Sequence, residues 1–152
     1  MLRRLAAVLL AATAVTTLSG CSTTVSVPAP SDANDPLCAQ ITAYLPSTLD
    51  GKPRRWTDAQ ATGAWGEGET SIILSCGVTV PAASALTCRT VSGVDWLVDD
   101  SLAPSYRFTT FGRTPAVEVF VNYDDASAFT ALDALAPLVS KLPQNAQCTD
   151  RP

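Results

Sequence analysis

The sequence predicts an α+β domain: an antiparallel sheet of four to five strands with two helices packed on one face, stapled by disulfides. Three observations support this prediction. Apolar residues recur with helical spacing after Asp35 and again after Asp125, whereas apolar and polar residues alternate with period two between them. The turns between the alternating segments are shorter than the dozen residues that a parallel crossover needs, so we expect antiparallel pairing. The order helix, strands, helix favours both helices on the same face of the sheet.

The first predicted helix has a defined start and a defined end. Asp35 is a suitable N-cap, Pro36 stands at the first helical position, and Pro46 ends the helix after about three turns. The following segment, 47–58, is rich in turn-forming residues and is predicted to be a surface loop. It contains the only basic cluster of the mature chain, formed by Lys52, Arg54 and Arg55.

Several segments show the period-two alternation that is typical of strands. They are residues 62–66, 72–78, 94–99, 106–111 and 117–123, with 66–68 as the turn between the first two. After the last strand, Asp124 or Asp125 can cap a second helix. The apolar stripe of this helix consists of Phe129, Leu132, Ala136 and Val139. Pro137 falls within this helix and is expected to kink or split it.

The amino terminus has the features of a bacterial lipoprotein signal. Arg3 and Arg4 form a positive region, and the apolar run at 5–18 is about 14 residues long, shorter than the ~20 that span a bilayer. The tetrapeptide Leu-Ser-Gly-Cys that ends at Cys21 resembles the lipobox, in which the cysteine is acylated and the chain is cut before it. An ordinary signal peptide with Cys21 as a bystander is the alternative.

These features divide the chain into three predicted parts. Residues 1–20 are the lipoprotein signal peptide, 21–35 are the lipidated cysteine and a flexible tether, and 36–152 are a single extracytoplasmic domain. A tether is predicted because the residues after the cysteine are small, polar and rich in proline. Two or three acyl chains on Cys21, such as palmitate, would anchor the protein stably at the extracytoplasmic face of the cell membrane.

The remaining four cysteines predict two disulfides, because an even number in an exported chain is typical of an oxidising compartment. Three connectivities are possible. We favour Cys76 with Cys88, closing a short loop between neighbouring strands, and Cys38 with Cys148, joining the two ends of the domain. A zinc site is disfavoured because the chain has no histidine and no C-x-x-C pair.

The composition excludes several classes of function. Because the chain has no histidine, His-based catalytic triads and His-containing metal sites are impossible. The chain has 10 basic and 14 acidic residues, and cleavage before Cys21 removes two arginines and changes the formal charge from −4 to −6. We expect no nucleic-acid partner, since phosphate recognition needs clustered Lys and Arg. We also expect no cofactor and no metal.

Three stretches of the sequence resemble those of one family. They are residues 74–78, 93–96 and 108–119, the last of which includes Gly-Arg-Thr-Pro-Ala-Val-Glu-Val. On these residues the chain is similar to a group of actinobacterial secreted proteins and lipoproteins known as domain of unknown function 3515. The resemblance covers about residues 38–142. It implies an exported location and a shared fold, and it implies no activity and no catalytic residue.

Charged and aromatic side chains supply the candidate ligand or partner contacts. Arg113 and Glu118 lie near the turn between the last two predicted strands, where an arginine can bind a carboxylate or phosphate bidentately. The alternative is a structural role for Arg113 at this turn. Trp56 and Trp65 are candidate stacking platforms, and Trp56 is expected to be the more exposed, whereas Trp96 is assigned to the core.

A non-catalytic role is the leading hypothesis. Glu67 and Glu69 resemble a glycosidase pair, but residues two apart at a glycine turn more often form a solvated tip. We therefore expect an envelope lipoprotein that binds a protein partner or a cell-wall component. The alternatives are a small carrier or sensor for a lipid or glycan and, third, a hydrolase that uses acidic residues.

Overall fold

The computed structural model of the protein describes residues 24–67, 70–80 and 86–149. Cys21, the signal sequence before it and Glu69 lie outside the described residues. The signal peptide, the acylation site and the Glu67–Glu69 pair therefore stay predictions.

This part of the chain forms two helices and one eight-stranded sheet. The helices are α1 (Pro36–Ala43) and α2 (Ala128–Val139). The strands are β1 (Thr48–Leu49), β2 (Lys52–Arg55), β3 (Thr62–Trp65), β4 (Ile72–Val78), β5 (Thr87–Val91), β6 (Val94–Leu102), β7 (Ser105–Thr110) and β8 (Ala116–Asn122). All pairs are antiparallel, in the order β1-β2-β3-β4-β8-β7-β6-β5. The α+β class with two helices is confirmed, whereas the prediction of four to five strands is wrong.

The strands that sequence analysis missed have no two-residue apolar period. β1 and β2 lie inside the segment predicted as a surface loop, and β5 has no counterpart among the predicted strands. β1 and β5 are the two edges of the sheet, and β2 lies beside β1. Strands at a sheet edge expose much of their surface and tolerate charged residues and proline, so their polar sequences carry no alternating signal.

Both helices pack on one face of the sheet, which we call the helix face. They cover alternate apolar residues of the two central strands, which are Ile72, Leu74, Cys76, Val117, Val119 and Val121. Trp65 and Trp96 are fully buried in the same core. The indole Nε1 of Trp65 donates to the Pro46 carbonyl at 3.0 Å. Trp96 is a core residue as predicted, but Trp65 is too deeply buried to serve as a stacking platform.

The first helix begins where the sequence predicts and the second begins later. Asp35 caps α1 through its carboxylate. Ser127 caps α2 in place of the aspartates before it, because the Asp125 carboxylate instead binds the Lys52 ammonium at 3.0 Å. Pro137 lies in the last turn of α2 without splitting the helix. Within the described ranges, no helix is long and apolar enough to cross a membrane.

The two disulfides are confirmed, but the favoured pairing is wrong. The bonds join Cys38 to Cys76 and Cys88 to Cys148, in place of Cys76 to Cys88 and Cys38 to Cys148. The order of the strands explains the difference. The strands that carry Cys76 and Cys88 are four places apart in the sheet, which is about 19 Å at the usual strand spacing. That separation far exceeds the Cα distance that a disulfide can span.

The segment predicted as a tether is packed against the sheet from residue 24 onward. We call residues 24–33 the N-terminal arm. Val25 forms a parallel bridge with Thr57. The Asp32 amide donates to the Gly77 carbonyl at 2.9 Å. The predicted flexible tether is therefore too long, because main-chain hydrogen bonds hold this arm in place.

The chain after α2 forms a second arm, residues 143–149, which we call the C-terminal arm. It passes the turn between β7 and β8, where the Asn145 amide donates to the Gly112 carbonyl at 2.7 Å. It then reaches the face of the sheet opposite the helices, where Cys148 bonds to Cys88. The two arms therefore flank the face of the sheet that the helices leave uncovered.

Candidate functional site

The face of the sheet opposite the helices, which we call the open face, has a centre of mixed polarity. The antiparallel register places two rows of side chains across β4, β8 and β7. One row is Ser75, Glu118 and Thr109, and the next row is Ile73, Phe120 and Arg107. A carboxylate and a guanidinium are thus held on rigid strands beside an aromatic and an aliphatic side chain.

These side chains form the floor of a groove with a volume of about 420 Å³. Residues 27–31 of the N-terminal arm form one wall. The Ser31 hydroxyl holds this wall in place by donating to the Gly77 carbonyl at 3.1 Å. The floor consists of Ile73, Ser75, Val78, Arg107, Glu118 and Phe120, with Thr79 at its end. The volume lies in the range of roughly 300–1,000 Å³ that is usual for ligand sites.

Glu118 and Arg107 set the electrostatics of the groove. Burial raises the pKa of the Glu118 carboxyl above its ordinary value, and the nearby Asp99 carboxylate acts in the same direction. The Arg107 guanidinium and a hydrogen bond with Thr109 lower that pKa and only partly offset the burial. The Arg107 Nε lies 3.9 Å from a Glu118 carboxylate oxygen, and the Arg107 side chain is 41% exposed. Arg107 is thus accessible to an incoming carboxylate, and Glu118 to an incoming hydrogen-bond donor.

Arg113 does not join Glu118 in this groove. It is buried at the turn between β7 and β8, with only 5% of its surface exposed. Its guanidinium donates to the carbonyls of Ser140 and Leu142 at 3.1 and 2.8 Å. Arg113 therefore fixes the chain after α2, which is the structural alternative, and the predicted ligand contact at this residue is wrong.

Arg107 is the charged groove residue that sequence analysis missed, and Glu118 is the lining residue that it predicted. The alternation at 106–111 already places Arg107 on the opposite face from Tyr106 and Phe108. The missing information is the register with the next strand, in which Arg107 lies opposite Phe120. The predicted strand ends do not give this pairing, because residues 111 and 117 paired across the turn would place Arg107 opposite Val121.

Trp56 lies outside the groove, at the end of β2. Its side chain is 77% exposed and, with Arg54 and Arg55, lines a small pocket of about 210 Å³. Its carbonyl accepts a hydrogen bond from the Val25 amide at 2.8 Å. The exposed indole therefore stands where the N-terminal arm begins, as the more exposed of the two candidate tryptophans.

The described residues do not test the Glu67–Glu69 pair. Glu67 is exposed at the turn after β3, and its partner in the predicted pair, Glu69, lies outside the described residues. Among the residues that the structure describes, no group of three or more His, Cys, Asp or Glu side chains is arranged to hold a metal ion.

Comparison with known proteins identifies a family. No curated protein and no solved structure matches the chain significantly. The family described as "Protein of unknown function (DUF3515)" matches residues 3–147, which include the groove, the N-terminal arm and every described helix and strand. The chain therefore belongs to the DUF3515 family of proteins of unknown function.

Proposed function

We propose that this protein is a membrane-anchored extracytoplasmic lipoprotein that binds a partner protein of the cell envelope in the open-face groove, without catalysing a reaction. The observation that carries the proposal is the groove itself, in which an arm of the chain walls a floor of paired charges and apolar side chains. The anchor is proposed from the lipobox-like sequence at Cys21. Two disulfides support an oxidising, extracytoplasmic location.

The chemistry of the floor favours recognition of a protein segment. Ile73 and Phe120 offer apolar contact in the same row as Arg107, and Glu118 lies in the next row. A partner that places an apolar side chain on Phe120 and polar groups on Arg107 and Glu118 satisfies all of these groups at once. Charged groups placed beside an apolar centre give specificity in protein interfaces.

The shape of the groove also favours a protein over a free small molecule. Pockets for small molecules usually bury 70–90% of the ligand surface. This groove lies along the open face of the sheet. Residues 27–31 of the N-terminal arm form a wall on one side of it. A peptide segment or loop of a partner brings the rest of its own surface and covers such a site more completely than a small ligand does.

A non-catalytic role agrees with the groups that line the groove. Among the described residues that line the groove, Glu118 is the single carboxylate, and Arg107 is the charged group beside it. Glycoside hydrolysis by the usual route needs two carboxyl groups on either side of the bond. The hydroxyls of Ser31, Ser75 and Thr79 have no imidazole to activate them, because the chain has no histidine.

A photo-crosslinking experiment in the native envelope tests the proposed site. A benzoylphenylalanine at position 120 stands on the groove floor, and the same residue in place of Phe129 is the matched control, because Phe129 is 68% exposed on α2. We expect a protein adduct from position 120 that is absent from position 129. A lipid or glycan adduct at position 120 would establish the carrier or sensor alternative, and no adduct there would overturn the proposed site.

Two further measurements test the other parts of the proposal. Cys21→Ala should release the protein from membranes or leave the precursor uncut. Retention of a fully processed Cys21→Ala protein on membranes would exclude the lipid anchor. Turnover of a cell-wall substrate by the purified protein, abolished by Glu118→Gln, would refute the non-catalytic role.

A further inference from the structure

The site of predicted acylation precedes the first described residue by only three positions. The Val25 amide already donates to the Trp56 carbonyl at 2.8 Å, so the chain is fixed to the sheet at that residue. Cys21 precedes Val25 by four residues, and four residues span at most about 14 Å. A lipid on Cys21 therefore holds the end of β2 within the reach of the lipid headgroups.

The surface at this point combines exposed aromatic rings with arginines. Trp56 and Tyr44 are 77% and 72% exposed, the two highest values among the exposed large apolar side chains that the structure describes. Arg54 lies beside Tyr44, since its guanidinium donates to the carbonyls of Thr42 and Leu45, and it lines the small pocket with Trp56. We call the group Tyr44, Arg54, Arg55 and Trp56 the basic aromatic edge.

The charge of this edge is opposite to that of the mature chain. The mature chain has a formal charge of −6, yet two adjacent arginines lie here. Two exposed acids lie nearby: Asp58, which accepts hydrogen bonds from the Val27 amide and from Ser26 in the N-terminal arm, and Glu67 at the turn after β3. Arginines attract anionic headgroups, and tryptophan and tyrosine are enriched at the level where headgroups meet acyl chains.

We propose that the basic aromatic edge rests on the membrane, with Trp56 in the headgroup layer and the arginines against anionic phospholipid. This inference rests on the acylation of Cys21 in the proposed function and adds an orientation to it. The four residues from Cys21 to Val25 keep this edge close to the bilayer, and its exposed aromatic rings mark the surface that makes contact. The groove begins only two residues beyond Val25, at Val27, so it opens close to the membrane.

Tryptophan fluorescence is suited to test this orientation. The chain has three tryptophans, and Trp65 and Trp96 are fully buried, so that Trp56 alone is accessible to a quencher in lipid. The full lipoprotein is reconstituted into vesicles of 70% phosphatidylcholine and 30% phosphatidylglycerol, with or without bromine atoms on the phosphatidylcholine chains. We expect the brominated lipid to reduce the Trp56 emission roughly twofold, as for an interfacial indole.

A relocated tryptophan provides the matched control. The variant Trp56→Phe/Leu102→Trp carries its exposed reporter at the hairpin between β6 and β7, where Leu102 is 50% exposed. β6 is five places from β2 in the sheet, about 24 Å away. The fraction of this variant that co-sediments with the vesicles should show no quenching by brominated lipid.

Charge variants test the role of the arginines. Arg54→Gln/Arg55→Gln should lose most of the quenching in the anionic vesicles, and Arg54→Lys/Arg55→Lys should retain it. Circular dichroism and intact mass before and after reduction identify any variant that fails to fold, and the relocated-tryptophan comparison does not depend on either arginine.

The outcomes separate this inference from the proposed anchor. Protein that co-sediments with vesicles but shows no quenching of Trp56 would overturn the orientation and leave the anchor in place. Equal quenching at positions 56 and 102 would also overturn it. A processed protein without acyl chains that does not bind vesicles would refute the anchor itself, and the orientation with it.

Discussion

The N-terminal and C-terminal arms both pack against the sheet, but only the C-terminal arm is held by a disulfide. Each arm brings its backbone against a glycine with positive φ. A Cβ on Gly77 would lie 2.5 Å from the Asp32 backbone of the N-terminal arm, and a Cβ on Gly112 would lie 2.0 Å from the Ala146 carbonyl oxygen of the C-terminal arm. Only glycine permits these close approaches. The C-terminal arm is also tied by a disulfide, whereas residues 24–33 contain no cysteine.

This difference separates a fixed arm from an adjustable one. The C-terminal arm is anchored by Cys148 and by the carbonyls that Arg113 binds just before it. The N-terminal arm depends on hydrogen bonds such as the one from Val27 to Asp58. The N-terminal arm is the wall of the groove, so we expect this wall to move more easily than the disulfide-bonded C-terminal arm. The five predictions that follow test this contrast.

The disulfide of the C-terminal arm should have the largest effect. Cys88 and Cys148 are separated by 60 residues. Removing this bond by Cys88→Ser/Cys148→Ser should lower the free energy of unfolding by about 4 kcal/mol, because a long loop in the unfolded chain is released. Urea unfolding of oxidised wild type and variant measures the change. A loss below about 1 kcal/mol would contradict the view that this arm is anchored covalently.

Replacing Gly112, which lies beneath the C-terminal arm, should cause the next largest loss in the free energy of unfolding. Gly112→Ala should cost about 3 kcal/mol, the sum of positive-φ strain and displacement of the Ala146 carbonyl. Gly93→Ala is the matched control, because Gly93 also has positive φ but a Cβ there would have no neighbour within 4 Å. The control should cost only about 1 kcal/mol. Equal losses in urea unfolding would show that contact with the arm is unimportant.

Arg113 should contribute somewhat less. Arg113→Met should lower the free energy of unfolding by about 2 kcal/mol, because the Ser140 and Leu142 carbonyls lose a charged donor. The control is Arg107→Met on the open face, whose partly exposed ion pair with Glu118 is worth at most about 1 kcal/mol. The prediction fails if both arginines have the same effect on the urea midpoint.

The Val27 contact of the N-terminal arm should loosen in acid, whereas the Asn145 contact of the C-terminal arm should not. The hydrogen bond from the Val27 amide, with one from Ser26, lowers the pKa of Asp58 below its ordinary value of 3.8. The contribution of Asp58 is therefore complete above that value and is lost as the pH falls through the lowered pKa. The hydrogen-exchange protection factor of the Val27 amide should fall over this range. The Asn145 amide, which bonds to a backbone carbonyl, is the control and should stay protected.

The smallest effect should come from Glu118. Its folded-state pKa is raised above the ordinary 4.5, chiefly by burial, so the native state binds a proton more readily than the unfolded state does. The stability contributed by the protonated form is complete below 4.5 and is lost as the pH rises through the raised pKa. Glutamine does not titrate. As the pH rises across that interval, the free energy of unfolding of wild type should therefore fall relative to that of Glu118→Gln. A constant difference from pH 4 to pH 8 would exclude the raised pKa.

Sequence patterns predicted the structural elements that are determined by residues close together in the chain. The cap at Asp35 was correct because capping involves residues one turn apart. The alternation in β4 and β8 was visible because both strands have one fully buried face. The edge strands escaped detection because they expose residues on both sides. The candidate site was half predicted: Glu118 lines the groove, but its partner is Arg107 and not Arg113.

The amino-acid order was sufficient for the α+β class, the presence of two disulfides, the core position of Trp96 and the family resemblance. The pairing of the cysteines, the burial of Arg113 and the docking of the N-terminal arm depended on which strands are neighbours in the sheet. Alternation along a strand separates its side chains into two opposite sets, and each set follows from local spacing. It does not specify the adjacent strand, because that choice is made by contacts between residues far apart in the chain.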